Sequence, residues 1–204
     1  IGHRSAQPLL QSALSKMEYR GYDSCGIAVA GSRMMVQKDA GRMVDLAASS
    51  EPLAGNIGIG HTRWASCGLP TRDNAHPHLD CSGNIAAVHN GNITNYLTLK
   101  SRLESRGHIF QSSTDSEVIV HLIEEYYSGD LVAALGRTVD ELEGSFAVVV
   151  LRQGESRLAA ARRGSALVIG LGDGENWLAS DVTAFSEYTG RVIYLDDGDL
   201  AVVD

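Results

Sequence analysis

The chain has 204 residues, 44% of them hydrophobic, enough to bury a continuous core within a single domain. Its 17 Lys+Arg against 25 Asp+Glu leave a net charge of -8 with no basic cluster, which removes the electrostatic footprint of a nucleic-acid binder. No apolar run approaches the roughly 20 residues a bilayer-spanning helix needs, and Cys25, Cys67 and Cys81 are odd in number and unpaired in spacing, so no disulfide framework or Cys-rich zinc module is expected and a reducing cytoplasm suits them.

In chain order, Leu9, Leu10, Ala13, Leu14 and Met17 recur at helical spacing after Ser5, predicting an amphipathic helix over 5–18 with Pro8 tolerated in its first turn. Short Ile-, Val- and Ala-rich segments over 25–30, 33–38, 57–61 and 84–89 read as strands separated by Gly, Ser and Asn turns. Surface helices are predicted over 94–106, 116–127 and 130–142, the first two stopped by Gly107 and Gly129. Strands then follow at 146–152, 158–162, 167–171, 177–180, 192–194 and 200–203, with one short helix over 181–188. Hairpin-length gaps favour antiparallel pairing, because parallel neighbours need crossovers of a dozen residues or more. No repeat or long linker divides the chain, so one domain is expected.

Four polar segments stand out. Arg63 follows Gly58-Ile59-Gly60-His61 where a strand runs into a loop, and its guanidinium suits a substrate carboxylate held by two hydrogen bonds, or else a surface ion pair. Trp64 beside it favours a pocket wall. His89-Asn90-Gly91-Asn92, at a strand end, offers an amide NH2 and an unshielded backbone N–H as two oxyanion donors, although Asn-Gly alone is usually a turn. Asp115, where the polar loop 111–114 meets a helix, either caps that helix or faces a ligand ammonium, and Ser113 or Thr114 could cap equally well. A cation for a carboxylate, an oxyanion cradle and an anion for an ammonium group together describe a pocket for a free amino acid.

Other motifs carry less. His76-Pro77-His78 lacks an Asp, Glu or Cys at zinc-site spacing, so no metal is expected, and His3, His108 and His121 read as ordinary histidines. The 170–176 segment, Gly170-Leu171-Gly172-Asp173-Gly174-Glu175-Asn176, lies between strands and reads as a hairpin turn rather than a phosphate loop; Asp196-Asp197-Gly198-Asp199 is a turn without the calcium-loop pattern. Asn92-Ile93-Thr94, a formal glycosylation triplet, reads as a helix entry.

Glu18-Tyr19-Arg20-Gly21-Tyr22-Asp23-Ser24, His61 to Ala65, Asn74-Ala75-His76-Pro77-His78, Val88 to Gly91 and Thr114-Asp115-Ser116-Glu117 closely resemble the glutaminase domains of the glucosamine-6-phosphate synthase family, nearly end to end. Gly174-Glu175-Asn176, Ala179-Ser180-Asp181 and Asp197-Gly198-Asp199 extend the match, and Tyr19 to Ser24 separates that family from related amidotransferases. The resemblance implies a class II glutamine amidotransferase of α+β class with the N-terminal-nucleophile hydrolase fold, a four-layer αββα sandwich of two antiparallel sheets between helices. It implies that L-glutamine is hydrolysed to glutamate and ammonia, with the ammonia passed to fructose-6-phosphate held by C-terminal sugar isomerase domains outside this chain, in a cytoplasmic homo-oligomer that needs no cofactor.

Carried over by position, Asn90 and Gly91 form the oxyanion hole, Arg63 binds the glutamine α-carboxylate and Asp115 its α-ammonium. Trp64, Ser66, Cys67 and His76 line the pocket, and Arg20 and Gly21 lie near the chain start. In that family the first mature residue is a Cys whose thiolate attacks the side-chain amide and whose α-amino group, with an ordinary pKa of roughly 7.7–8.0, is the base. Here the numbered sequence opens at Ile1, so the expectation is that the natural protein carries a short segment with this Cys before it, and that the 204 residues alone are inactive. Cys67 stands where the family usually has His. Two readings compete with this one: a glutamine-binding module without catalysis, and a glutaminase serving another acceptor such as phosphoribosyl pyrophosphate. A substitute nucleophile is disfavoured, because the resemblance implies structural roles for Cys25 in a strand and Cys81 in a turn, and Cys67, although near the pocket, lacks an adjacent terminal amine.

Overall fold

A computed structural model describes residues 1–204. Helix α1, Ala6–Met17, leads through a single 3-10 turn at Glu18–Arg20 into strands β1, Ser24–Ala30, and β2, Met34–Ala40, then helix α2, Met43–Ser49, and strand β3, Ile57–Arg63. Strands β4, His78–Leu79, and β5, Ile85–Ile93, precede helices α3, Tyr96–Ser105, α4, Glu117–Tyr126, and α5, Leu131–Glu141. Strands β6, Gly144–Arg152, β7, Leu158–Arg163, β8, Val168–Leu171, β9, Asn176–Ala179, β10, Val192–Tyr194, and β11, Leu200–Val203, complete the chain, with a 3-10 turn at Val182–Ala184. Every strand pair is antiparallel, and no helix is long and apolar enough to cross a membrane.

Period-two alternation builds the layers. In β6, Phe146, Val148 and Val150 face α3 to α5, while Ala147, Val149 and Leu151 face the other sheet; β5 and β7 divide their residues the same way. In β1, Cys25, Ile27 and Val29 meet α1 and α2, while Ala28 and Ala30 turn inward. The result is helix, sheet, sheet, helix, with the five-stranded sheet β11-β7-β6-β5-β4 as one inner layer. Full burial of a side chain such as Phe146 contributes about 1.5–3 kcal/mol.

The other inner layer comes in two three-stranded pieces, β2-β1-β3 and β10-β8-β9, rather than one sheet. Helix α1 straddles both, placing Ala6 and Leu14 against the first and Ala13 and Met17 against Val168 of the second and Phe185 just past the 3-10 turn. Ile1 and Gly2 lie between the pieces: the Ile1 backbone exchanges hydrogen bonds with Asn176 at 3.0 and 2.8 Å, and the Gly2 N–H donates to Asn56 O at 3.3 Å.

Several elements depart from the sequence reading. Helix α2 escaped it because its start has no local cap; the Met43 N–H is satisfied by the Glu18 carboxylate, at 2.8 Å, from 25 residues away. Strand β5 does not end at His89 but runs through Asn90-Gly91-Asn92 to Ile93, paired with β6 throughout, so Asn-Gly is neither a turn nor a strand end. Residues 181–188 form one 3-10 turn rather than a helix, with Asp181 accepting from Thr183 N at 2.9 Å. The hairpin assigned to 170–176 is present between β8 and β9, and 196–199 is a turn closed by Asp199 N donating to Asp196 O.

Candidate active site

A cavity of about 510 Å3, within the range of small-molecule sites, opens between β3 and β9, with α1 on one side and the inward faces of β5 and β6 on the other. Ile1, Arg20, Arg63, Trp64, Ser66 and His76 border it, and so do Asn90 and Gly91. Those residues come from separate turns and strands that the sequence reading had joined. Cys67, Asp115 and Gly21 do not border the cavity, contrary to the pocket-lining position expected for Cys67.

Alternation along β3 puts Ile57, Ile59, His61 and Arg63 on the inward face, with Gly58 and Gly60 beneath α1, where an added Cβ would come within 2.9 and 2.7 Å of Leu10 and Leu14. His61 therefore meets Asn90, the next inward residue of β5 after Ala86 and Val88. Its Nε2 lies 3.0 Å from Asn90 Oδ1. Since the amide oxygen can only accept, His61 donates, and the Asn90 NH2 group is left without a protein partner beside the cavity. Burial pulls the His61 imidazole down to about 4, so it stays neutral with its proton on Nε2. Sequence reading included His61 in the matching segment His61 to Ala65 but gave it no role; the period-two spacing from Arg63 was the available signal.

Gly91 adopts φ +132°, and a Cβ there would lie 2.1 Å from Ser145 O, so only glycine fits this crossing of β5 over β6. Gly21 is fixed for a similar reason without an unusual φ: a Cβ would meet Trp64 N at 2.5 Å.

The Arg63 guanidinium is buried and donates to the carbonyls of Cys67, Gly68 and Leu69, the last two at 3.2 and 3.4 Å, which folds the 66–69 loop around it. Burial lowers its pKa, while Cys67, Asp115 and Asp23 supply the opposing pull. It has no carboxylate partner in direct contact, so it remains a buried cation bonded only to neutral carbonyls. Asp23 accepts from Ala65 N at 2.9 Å and anchors the start of the same loop, a role the sequence did not disclose. Trp64, exposed at the rim, packs edge-on against Tyr22 with ring centroids 6.0 Å apart.

Asp115 caps no helix: its Oδ2 accepts from Ile93 N at 2.8 Å and ties the end of β5 to the start of α4. The Cys67 thiol turns toward Ser113 O at 3.8 Å. Arg20 donates to Asp181 Oδ2 at 2.8 Å, which joins the Glu18–Arg20 turn to the end of β9. His61, His76 and His89 on the cavity wall, with His78 behind them, form a buried set. His89 N donates to His76 Nδ1 at 3.3 Å, His89 Nδ1 meets Ser116 Oγ at 2.8 Å, and the His61 and His76 rings lie 4.4 Å apart. Burial holds all four below the ordinary histidine range, His78 at about 3. Among the cysteines, Cys25 is buried in β1 with its thiol pushed up to about 12 by burial, and neither it nor Cys81 borders the cavity.

The four antiparallel-sheet and helix layers are those of the N-terminal-nucleophile hydrolases, and a glutamine phosphoribosylpyrophosphate amidotransferase from B. subtilis, solved with ADP and GMP, superimposes with a TM-score of 0.84 at 27% identity, covering 100% of this chain and 46% of its own. Residues 61–187 match the glutamine amidotransferase domain family, to which the chain belongs. Glutamine–fructose-6-phosphate aminotransferases (isomerizing) from Methanothermobacter thermautotrophicus and Thermus thermophilus are 50% and 51% identical over 98% of this chain. The chain spans 35% and 34% of the lengths of those two relatives.

Proposed function

We propose that this chain is the glutaminase unit of a glutamine–fructose-6-phosphate aminotransferase, releasing ammonia from L-glutamine for glucosamine-6-phosphate synthesis by sugar isomerase domains outside it. The observation that carries this reading is the meeting of Asn90, Gly91 and Arg63 on one cavity that Ile1 also borders. The 50% identity to aminotransferases of that name, against 27% to the phosphoribosylpyrophosphate enzyme, favours the sugar acceptor.

In this mechanism a cysteine upstream of Ile1 lies between the facing edges of β3 and β9. Its thiolate attacks the glutamine side-chain carbonyl carbon, forming a C–S bond while the carbonyl electron pair moves onto oxygen. Asn90 NH2 and the Gly91 N–H stabilise that oxyanion, and the uncharged His61 keeps the Asn90 amide from rotating its oxygen toward the developing negative charge. Collapse breaks the C–N bond, and the terminal α-ammonium supplies the proton that lets ammonia leave. Water then hydrolyses the thioester to glutamate and regenerates the thiol. Arg63 receives the α-carboxylate, which gives its buried charge the anion it otherwise lacks.

The test uses the natural full-length protein. A glutamine-analogue electrophile should label an N-terminal cysteine and abolish glutamate release. A native start at Ile1, or labelling at Cys25, Cys67 or Cys81 instead, would defeat the assignment. Arg63→Ala should chiefly raise KM for glutamine.

A further inference from the structure

Outside the cavity, three sequence-distant segments bring four ligand-type side chains together: Cys81 in the β4–β5 turn, His108 just past α3, and His121 with Glu124 one helical turn apart on α4. The geometry points to a zinc site formed by Cys81 Sγ, His108 Nδ1, His121 Nδ1 and Glu124 Oε2, which clamps α4 to the β4–β5 turn and the end of α3. It is independent of the glutaminase reading, since none of the four borders the cavity.

All four donor atoms lie within 4.8 Å of one another. Zinc bonds of about 2.3 Å to sulfur and about 2.0–2.1 Å to nitrogen, at a tetrahedral angle, put sulfur and nitrogen roughly 3.6 Å apart. Cys81 Sγ lies 3.8 Å from His108 Nδ1 and 3.6 Å from His121 Nδ1. Glu124 Oε2 sits 2.9 and 3.1 Å from the same two nitrogens, a few tenths of an ångström inside the tetrahedral spacing. The backbone presets these positions. Gly107, at φ +96°, ends α3 so that His108 N returns to Leu103 O at 3.1 Å, and Ile109 N donates to Cys81 Sγ at 3.5 Å, as suits a thiolate.

The outer groups fit as well. A histidine that ligates through Nδ1 usually donates its Nε2–H to a carboxylate. His121 Nε2, buried and otherwise without a hydrogen-bond partner, faces Glu117 Oε1 at 3.7 Å, and His108 Nε2 faces Glu125 Oε2 at 3.9 Å. One thiolate and one carboxylate neutralise a divalent ion, and a mixed sulfur, imidazole and oxygen set suits zinc rather than magnesium or calcium. Cys81 is exposed while His121 is buried, which gives the ion a route in from solvent. Binding would replace the protons on the Cys81 thiol and on His121, so affinity should rise with pH.

The experiment is zinc loading of the full-length protein in metal-free buffer, followed by elemental analysis, cobalt substitution and alkylation mapping by peptide mass. Expected are one zinc per chain, a thiolate-to-cobalt charge-transfer band, and protection of Cys81 from alkylation that a chelator reverses. Cys81→Ser should remove the band and weaken zinc beyond the roughly 10–100-fold cost of losing an outer-shell partner, while Cys67→Ser keeps both. Zinc that leaves the Cys81 alkylation rate unchanged, or a band that survives Cys81→Ser, overturns the site. Because protection is read on the unaltered protein, the result stands even if the variant fails to fold.

Discussion

The four cavity-side histidines and His121 answer burial in opposite ways. His61, His76, His78 and His89 sit among amides, hydroxyls and one another, and desolvation keeps them neutral. His121 is as little exposed to solvent but less deeply enclosed by protein, and its pKa is raised because the Glu117 and Glu124 carboxylates outweigh the desolvation that opposes its charge. Depth and neighbouring charge together set the proton state. The first group can aim a neutral hydrogen bond at Asn90, whereas the second gathers negative charge suited to a cation.

The largest expected effect separates the roles on the cavity side. Asn90→Ala in the full-length protein should lower kcat about 10²–10³-fold, roughly 2.7–4 kcal/mol, with little change in KM, as steady-state glutaminase assays would show. A KM effect of that size with unchanged kcat would move Asn90 out of the chemistry. Acid titration comes next. The His61 folded pKa, about 4, lies below the unfolded value, so its stabilisation is complete above about pH 6.5 and is lost as pH falls toward 4, about 3 kcal/mol in denaturant melts. His61→Phe should make that acid slope shallower, leaving the part due to His76, His78 and His89.

His61→Phe should also slow turnover about 5- to 30-fold, corresponding to the loss of one buried hydrogen bond, about 1–2 kcal/mol, and His61→Gln should recover part of it by restoring a donor. Unchanged kcat in the Phe variant would make the contact to Asn90 merely structural. The smallest effect lies in the other group and has the opposite sign. The raised pKa of His121 means its charged form stabilises the metal-free fold below the ordinary histidine range, a contribution lost as pH rises through the folded value. The stability gap between wild type and His121→Phe, about 1 kcal/mol for such a pair, should therefore shrink with rising pH in chelator-containing buffer.

Much of the layer structure was legible because alternation and helical spacing report burial directly. Strands 25–30 and 158–162 and the helix over 5–18 were read within two residues of β1, β7 and α1. What escaped depended on partners far along the chain. Helix α2 begins on a carboxylate from Glu18, β4 is two residues long, and β5 continues through Asn90-Gly91 only because β6 lies beside it. In the site, Arg63 and Asn90 were visible as residue types, but the link from His61 to Asn90 and the engagement of Asp115 by Ile93 required the stacking of two sheets. The cysteine and histidines at 81, 108 and 121 looked unrelated because nothing local joins them; only the spacing of His121 and Glu124 on one helical face was in plain view.

The Arg63 guanidinium holds the loop at 66–69 by its carbonyls while remaining a charge in want of an anion. Fastening that loop and admitting a carboxylate therefore draw on one side chain, so occupancy and local order are thermodynamically linked. Amide hydrogen exchange across 66–69 should slow when an amino-acid carboxylate is bound, turning the cavity wall into a reporter of its own contents.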